Sequence, residues 1–407
     1  MSIFLSLREE GKIMKKNISK NVVDIMTLIN NQDKQVYIIG GAVRDFIIGK
    51  KPTDFDLCTN LPLLAIKEQI PHFHLMKQTN IRNAGVIRID DTVMEISEFK
   101  GETLEEDIQK RDFTINGIAM DKEGTIIDPF NFEQDIHNKT ISLIDKTGHS
   151  IKENPLLILR AIRLACQLDF KIDEATKEQI FKHKVSIARL IGQRVNIELS
   201  KMLITDLFPK YLDEYFDIFL MVLPELININ YDSIEKRTKL LTIMPNNLPL
   251  KLAALFTFNG NPIQDFTQFA NRMMLDKKTT KLVLALLSYK DKNIDISRTG
   301  INRTIHEFNV QNVDLLFAYK KAVMEVNNDC TKHMGKIKEL YQAVVDKIIS
   351  TRISNIKINT SRLVEMGYTS EESTLIFEDV KGRIITNSLQ NDEKSINSYI
   401  LKNYKRS

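Results

Sequence analysis

Residues 36–59 read VYIIGGAVRDFIIGKKPTDFDLCT, and the fold and chemistry of the chain hang on this stretch. Val36-Tyr37-Ile38-Ile39 is an apolar, β-branched run that predicts a buried strand. Gly40 and Gly41 end it, because two residues without Cβ let the backbone turn sharply and come close to a ligand. Residues 42–48 have helical character, with Arg44 and Asp45 on the first turn. After Gly49 and Pro52 a second strand is expected from Thr53, holding Asp54-Phe55-Asp56. Side chains at i and i+2 of a strand share a face, so both carboxylates point one way. Like charges so close are costly unless a cation sits between them, and carboxylate oxygens suit Mg²⁺. A lone D-x-D or a lone Gly-Gly is commonly a turn or a solvated face. At this spacing the two together predict metal-assisted phosphoryl or nucleotidyl chemistry, with Asp54 and Asp56 as metal ligands.

The wider composition sets bounds on that reading. A chain of 407 residues predicts several domains and ample core. The 43% hydrophobic and 27% charged content is that of a soluble globular protein. A net charge of +4 permits a nucleic-acid partner without demanding one. Cys58, Cys166 and Cys330 are isolated, which fits neither a disulfide framework nor a zinc motif and predicts a reducing, cytoplasmic setting. No apolar run is long enough for a membrane span, and no signal-peptide core precedes the first helix. Residues 8–14, REEGKIM, have the form of a translated purine-rich ribosome-binding sequence, which predicts Met14 as the natural start.

Outward from the opening stretch, strands are expected at 85–89, 93–99, 115–120 and 125–128. From about residue 151 the period changes to 3.6, with helices expected at 156–168, 176–183, 194–205, 248–258, 279–289 and 312–326. The fold class is therefore α+β, a mixed head followed by a long helical body. Within the head, Glu95 offers a third carboxylate on a neighbouring strand, with Glu98 as the opposite-face option. Arg111 can neutralise triphosphate oxygens, and Asp112 and Asn116 can hold ribose hydroxyls. At the helix opened by Asn154-Pro155, Arg160 and Arg163 share a face. They either anchor that helix against acidic partners or face a nucleotide.

Four segments together resemble the bacterial-type (class II) CCA-adding tRNA nucleotidyltransferase and poly(A) polymerase family. They are Gly-Gly-x-Val-Arg-Asp with Asp-x-Asp, then Arg111-Asp112-Phe113-Thr114-Ile115-Asn116, then Arg160-Ala161-Ile162-Arg163, with Asp128-Pro129-Phe130 and Asp135 between. The segments 358–367 and 391–393 resemble the tail of the tRNA branch, so the likeness runs nearly full length. The resemblance implies a polymerase-β-like head at 1–150, a helical neck at 151–207, a body at 208–300 and an RNA-binding tail at 301–407. It implies that Asp54 and Asp56 hold Mg²⁺ for attack of an RNA 3′-hydroxyl on the α-phosphate; the strand pattern adds Glu95 as the assisting carboxylate. Gly40, Gly41, Arg44 and Arg111 would hold the triphosphate of CTP or ATP, Asp112 the ribose, and Asn116, Asn154, Arg160 and Arg163 would complete the nucleotide site. The implied acceptor is the 3′ end of tRNA, gripped along its acceptor arm.

The chain also departs from that family. Its template segment is Glu-Asp-x-x-Arg, whereas Glu153-Asn154-Pro155-Leu156-Leu157 stands here. Asn154 can donate as well as accept, and Leu157 has no donor, so discrimination against U and G should weaken. Restoring Asn154→Asp with Leu157→Arg should sharpen it. The passage from Lys100 through Gly101-Glu102-Thr103 into Leu104 is short, as in CC-adding members. Leu252-Ala253-Ala254-Leu255 stands where some relatives carry a His-Asp phosphohydrolase motif. The alternatives are a diverged paralogue adding another nucleotide and an RNA-binding protein without synthesis.

Overall fold

The computed structural model describes residues 18–30, 35–70, 72–76, 84–190, 192–227, 231–308, 312–385 and 388–404, so the expected start at Met14 lies outside the described residues. The chain divides into two compact units, 1–190 and 191–407, and the head boundary expected near 150 lies inside the first.

The first unit is built on a seven-stranded sheet in the order β3-β4-β5-β2-β1-β6-β7. These are β1 Val36–Ile39, β2 Asp54–Thr59, β3 His74–Leu75, β4 Ala84–Ile89, β5 Thr92–Glu98, β6 Ala119–Met120 and β7 Ile126–Ile127. The one parallel pairing is β2 with β5; the others are antiparallel. The class is α+β, as expected. The helix Lys20–Asn30 buries Val22, Ile25, Met26 and Ile29, the i, i+3, i+4, i+7 stripe of an amphipathic helix. The helix Leu104–Gln109 covers the other face, where Leu104 and Ile108 join Ile39, Cys58 and Ala119 in one apolar cluster.

Two expectations need correction. The strand expected at 115–120 begins only at Ala119, because Thr114–Asn116 form a 3₁₀ turn. Asn116-Gly117 is a turn pair that interrupts the apolar run. A small parallel ladder, β8 Thr140–Ile141 with β9 Lys171–Ile172, was not expected at all. It ties the end of the helix Leu156–Leu168 to the head, so that helix folds as part of the first unit.

The second unit is helical throughout its described residues. In the helix Leu248–Phe256 every residue from Leu250 onward is buried, and Phe256 meets Phe266 and Phe269 at ring-centroid distances of 5.5 and 5.1 Å. Lys251 lies in this core with Nζ donating to the Leu241 carbonyl at 2.6 Å, and burial pushes its pKa down. Toward the C-terminus the recurring polar residues prove to be helix caps. The Asn359 side chain accepts from Arg362 N at 2.8 Å, and Asp392 accepts from Ser395 N at 2.8 Å. Between them Gly367, at φ +97°, closes the helix Thr360–Glu365. Among the described residues no helix is long and apolar enough to cross a membrane. Cys58 and Cys166 are buried and Cys330 is exposed, all three as free thiols.

Candidate active site

Along β2, burial changes from exposed Asp54 through half-buried Asp56 to buried Cys58, all on one face. The carboxylates therefore sit at the rim, where the cover over that face of the sheet gives out. On the opposite face Phe55 and Leu57 are buried and hold the strand in register. Gly40 has φ +82° and ψ −137°, a conformation that side chains rarely adopt. A Cβ there would stand 3.2 Å from Asp56 Oδ2, so the glycine is needed both for its backbone and for its closeness to the carboxylate. A Cβ on Gly41 would meet Arg44 Nη2 at 3.4 Å. The Gly-Gly turn thus has the Asp56 carboxylate close to Gly40 and the Arg44 guanidinium close to Gly41.

Glu95 is the register partner of Asp56 across the parallel β2–β5 pair, which puts it on the same face. Glu98 is on the opposite face, and its Oε1 accepts from Leu63 N at 2.9 Å at the start of the helix Leu63–Gln69. That is a structural duty. Among the described residues, no group of three or more His, Cys, Asp or Glu is arranged to hold a metal ion. The donor set that fits a hard cation is accordingly the Asp54–Asp56 pair, two carboxylates on one face at the rim of the sheet.

Arg44 is 12% exposed and fully engaged. Its Nε and Nη2 donate to Asp45 Oδ1 at 3.0 and 2.8 Å, and Nη1 donates to Asn116 Oδ1 at 2.9 Å. The Asn116 amide passes the connection on, donating from Nδ2 to Asp112 Oδ1 at 3.3 Å. Asp112 Oδ2 then meets Arg160 Nη1 at 3.0 Å. One polar chain therefore runs Asp45–Arg44–Asn116–Asp112–Arg160, from the Gly-Gly turn to the helix Leu156–Leu168. Arg160 thus pairs with Asp112, and Arg163 donates to Gln167 on its own helix at 2.6 Å.

Arg111 does not join this chain. Its Nε donates to Asp107 Oδ2 at 2.8 Å, and the pair is 9% and 0% exposed. Asp107 Oδ1 also accepts from Lys100 N at 3.0 Å. Around it the short passage after β5 is closed firmly. Thr103 Oγ1 accepts from Glu106 N, Glu106 Oε2 accepts from Glu102 N, and Lys100 and Lys110 each donate Nζ to the other's carbonyl at 2.7 Å. Sequence reasoning missed Asp107, which stands four residues before Arg111 in the last turn of the helix Leu104–Gln109, just ahead of the bend that carries Arg111. Asp128 and Asp135 likewise have structural work. Asp128 accepts from Phe132 N and Glu133 N, and Asp135 accepts from the Thr114 hydroxyl at 2.6 Å.

Asn154 is half-buried at the joint between the helices His149–Glu153 and Leu156–Leu168, and its carbonyl accepts from Leu157 N at 3.0 Å. Leu157 itself is only 6% exposed.

Two carboxylates here carry a pH dependence. Burial opposes ionisation of Asp112, yet Arg160, the Phe113 N–H and Asn116 together hold it below the usual range. Asp145 works against a burial penalty too; the Thr147 hydroxyl and the Ser150 and Thr147 N–H groups bring it from 3.8 to about 2. A carboxyl depressed in the folded state stabilises the fold above its unfolded pKa, near 4, and that stability is lost as pH falls through the folded value. The unfolding midpoint should therefore fall between about pH 4 and 2, and Asp145→Asn should flatten that decline. Thermal melts from pH 6 to pH 2 check this, and an equally steep decline in the variant would refute it.

The family described as Poly A polymerase head domain matches residues 36–103 and 76–142, the sheet and its flanking turns. A CC-adding tRNA nucleotidyltransferase of Halalkalibacterium halodurans is 33% identical over 189 residues, 46% of this chain and 49% of that protein. A CCA-adding enzyme of Enterococcus faecalis is 32% identical over 206 residues, 46% of this chain and 50% of that protein. The chain thus spans about half the length of the curated relatives it matches. Over nearly the whole chain the fold is that of the Bacillus stearothermophilus CCA-adding enzyme solved with CTP. That likeness has a TM-score of 0.65 at 18% identity, covering 94% of this chain and 96% of that one. The Thermotoga maritima CCA-adding enzyme complexed with tRNA gives a TM-score of 0.59 at 19% identity, covering 96% and 98%.

Proposed function

We propose that this chain, whose residues 36–142 match the poly A polymerase head-domain model, is a cytoplasmic RNA nucleotidyltransferase that adds CMP, AMP or both to the 3′ end of tRNA. The observation that carries the reading is the Gly-Gly turn, with the Asp56 carboxylate against Gly40 and the Arg44 guanidinium against Gly41. A triphosphate lying along that turn would have metal-binding carboxylates near Gly40 and a phosphate-binding cation near Gly41. In the reaction the RNA 3′-oxygen bonds to the α-phosphorus, the bond between the α-phosphorus and its bridging oxygen breaks, and pyrophosphate leaves with that oxygen. The hydroxyl proton passes to solvent.

Asp54 and Asp56 would hold Mg²⁺, which when bound supplies charge neutralisation and activation of the hydroxyl. Glu95, beside Asp56 in register, supports that pair. Asp112 and Asn116, already polarised by Arg160 and Arg44, would take the ribose hydroxyls. Arg111 serves by bracing the passage after β5 through Asp107. Asn154 would meet the base. The regions 151–207, 208–300 and 301–407 would act as neck, body and tail, with the tail holding tRNA through phosphate contacts.

Of the two products, CC addition has specific support. The passage from Lys100 to Leu104 is short and closed by the Thr103 cap and the Lys100–Lys110 clasp. The test offers Mg²⁺, each labelled NTP singly, and tRNAs ending before, within and after CCA. CMP alone, stopping after two additions, is the expected result. AMP incorporation onto a tRNA ending in CC would favour full CCA addition, and UMP or GMP a paralogue of altered choice. No incorporation, with tRNA still bound, would overturn the enzyme reading in favour of an RNA-binding protein.

A further inference from the structure

We propose that Asp45 is an internal competitor for phosphate, setting how tightly the site holds both the incoming triphosphate and the departing pyrophosphate. This rests on the nucleotide reading of the Gly-Gly turn given above.

The Nε and Nη2 edge of an arginine is the edge that grips two phosphate oxygens side by side. In Arg44 both of those donors converge on a single oxygen, Asp45 Oδ1, at 3.0 and 2.8 Å. Adjacent residues on a helix do not face one another, so the guanidinium must fold back to reach its neighbour. Folded back, it lies against Gly41, next to the glycine that Asp56 approaches. The Nη1 bond to Asn116 Oδ1 anchors the far side of the guanidinium independently of Asp45. Asp45 thus holds the phosphate-binding edge with one carboxylate oxygen, a weaker partner than two phosphate oxygens of higher charge.

An arriving triphosphate must displace Asp45 from Arg44 and also accept its repulsion. After bond transfer the same carboxylate returns to the edge and helps to expel pyrophosphate. Asp45 is 26% exposed on its side chain, which leaves it free to swing to solvent when displaced. A carboxylate whose only duty was to aim Arg44 predicts the opposite behaviour, since loosening it would weaken phosphate binding.

Asp45→Asn separates the two. The amide oxygen can still accept from Arg44, but the competing charge is gone. Calorimetric titration of CTP and of inorganic pyrophosphate into the full chain, with Mg²⁺ and without RNA, reads the effect. The expected result is Kd lowered roughly five- to tenfold for both, about 1–1.4 kcal/mol. Asp45→Ala, which keeps the Asn116 anchor, should also bind both more tightly and serves if Asp45→Asn fails to fold. Wild-type binding of both, with no gain or with a loss in the variants, overturns the competitor role alone. No binding of either ligand by the wild-type chain overturns the nucleotide reading and this proposal together.

Discussion

Asp54→Ala and Asp56→Ala are each expected to lower nucleotide incorporation at least ~1000-fold while leaving the fold intact. A factor of that size corresponds to about 4 kcal/mol of transition-state stabilisation, within what a metal-held triphosphate supplies. The fold should survive because both carboxylates stand at the rim and outside the apolar core. Asp54 is exposed, Asp56 is half-buried at the rim, and Phe55 and Leu57 between and beyond them are buried on the opposite face. Removing one of two neighbouring like charges also relieves repulsion. Melting midpoints should therefore stay within the span of ordinary surface changes, about ±0.5 kcal/mol. Glu95→Gln is the graded comparison. Glu95 adjoins Asp56 by register, but the described residues close no three-carboxylate cage, so a loss of about tenfold is expected there. Single-turnover incorporation with labelled CTP reads all three variants. Activity persisting in Asp54→Ala or Asp56→Ala would show that the metal site lies elsewhere.

How much of this site was legible in the sequence depended on the range of the contact. The Asp54–Asp56 face follows from strand alternation, a two-residue rule, and it stands in the structure with Asp56 against Gly40. The helix Leu156–Leu168 follows from its 3.6-residue apolar period, and its bounds agree with expectation. What the residues did not disclose is pairing across the fold. Nothing local says that Asn116 accepts from Arg44, 72 residues earlier, or that Arg160 ends on Asp112. Nor could alternation signal the two-residue strands β8 and β9, since a period needs several residues to appear. Arg111 was assigned to phosphate by its place in a motif. Its buried partner Asp107 lies on the preceding helix, where packing and not motif decides the pairing. Of the charged residues in these motifs, Asp54 and Asp56 stand at the rim, where a ligand can reach them, whereas Arg111 is buried on Asp107 and braces the passage after β5.

The same division changes what should be expected of the template segment. Rebuilding it from sequence alone requires Leu157→Arg, yet Leu157 is 6% exposed, with Ile158 and Leu159 completely buried beside it. An arginine there would place a charge in the core, at a cost of about 3–5 kcal/mol. It would also put positive charge in the first turn of the helix Leu156–Leu168, against the helix dipole. For a unit of this size each kcal/mol lowers the midpoint by about 2–4 °C, so Leu157→Arg should melt roughly 6–20 °C below wild type. Asn154→Asp should not, because Asn154 is half-buried in the joint before that helix, where an added carboxylate keeps access to water. The single Asn154→Asp change is therefore the one that tests base choice cleanly. Losing the amide donor should favour C and A over U and G by about tenfold, the scale of one charged hydrogen bond. Misincorporation ratios from single-NTP assays measure this, and an unchanged ratio would remove Asn154 from base recognition. A Leu157→Arg protein melting with wild type would mean that position 157 can open to solvent. The double variant would then become the decisive one.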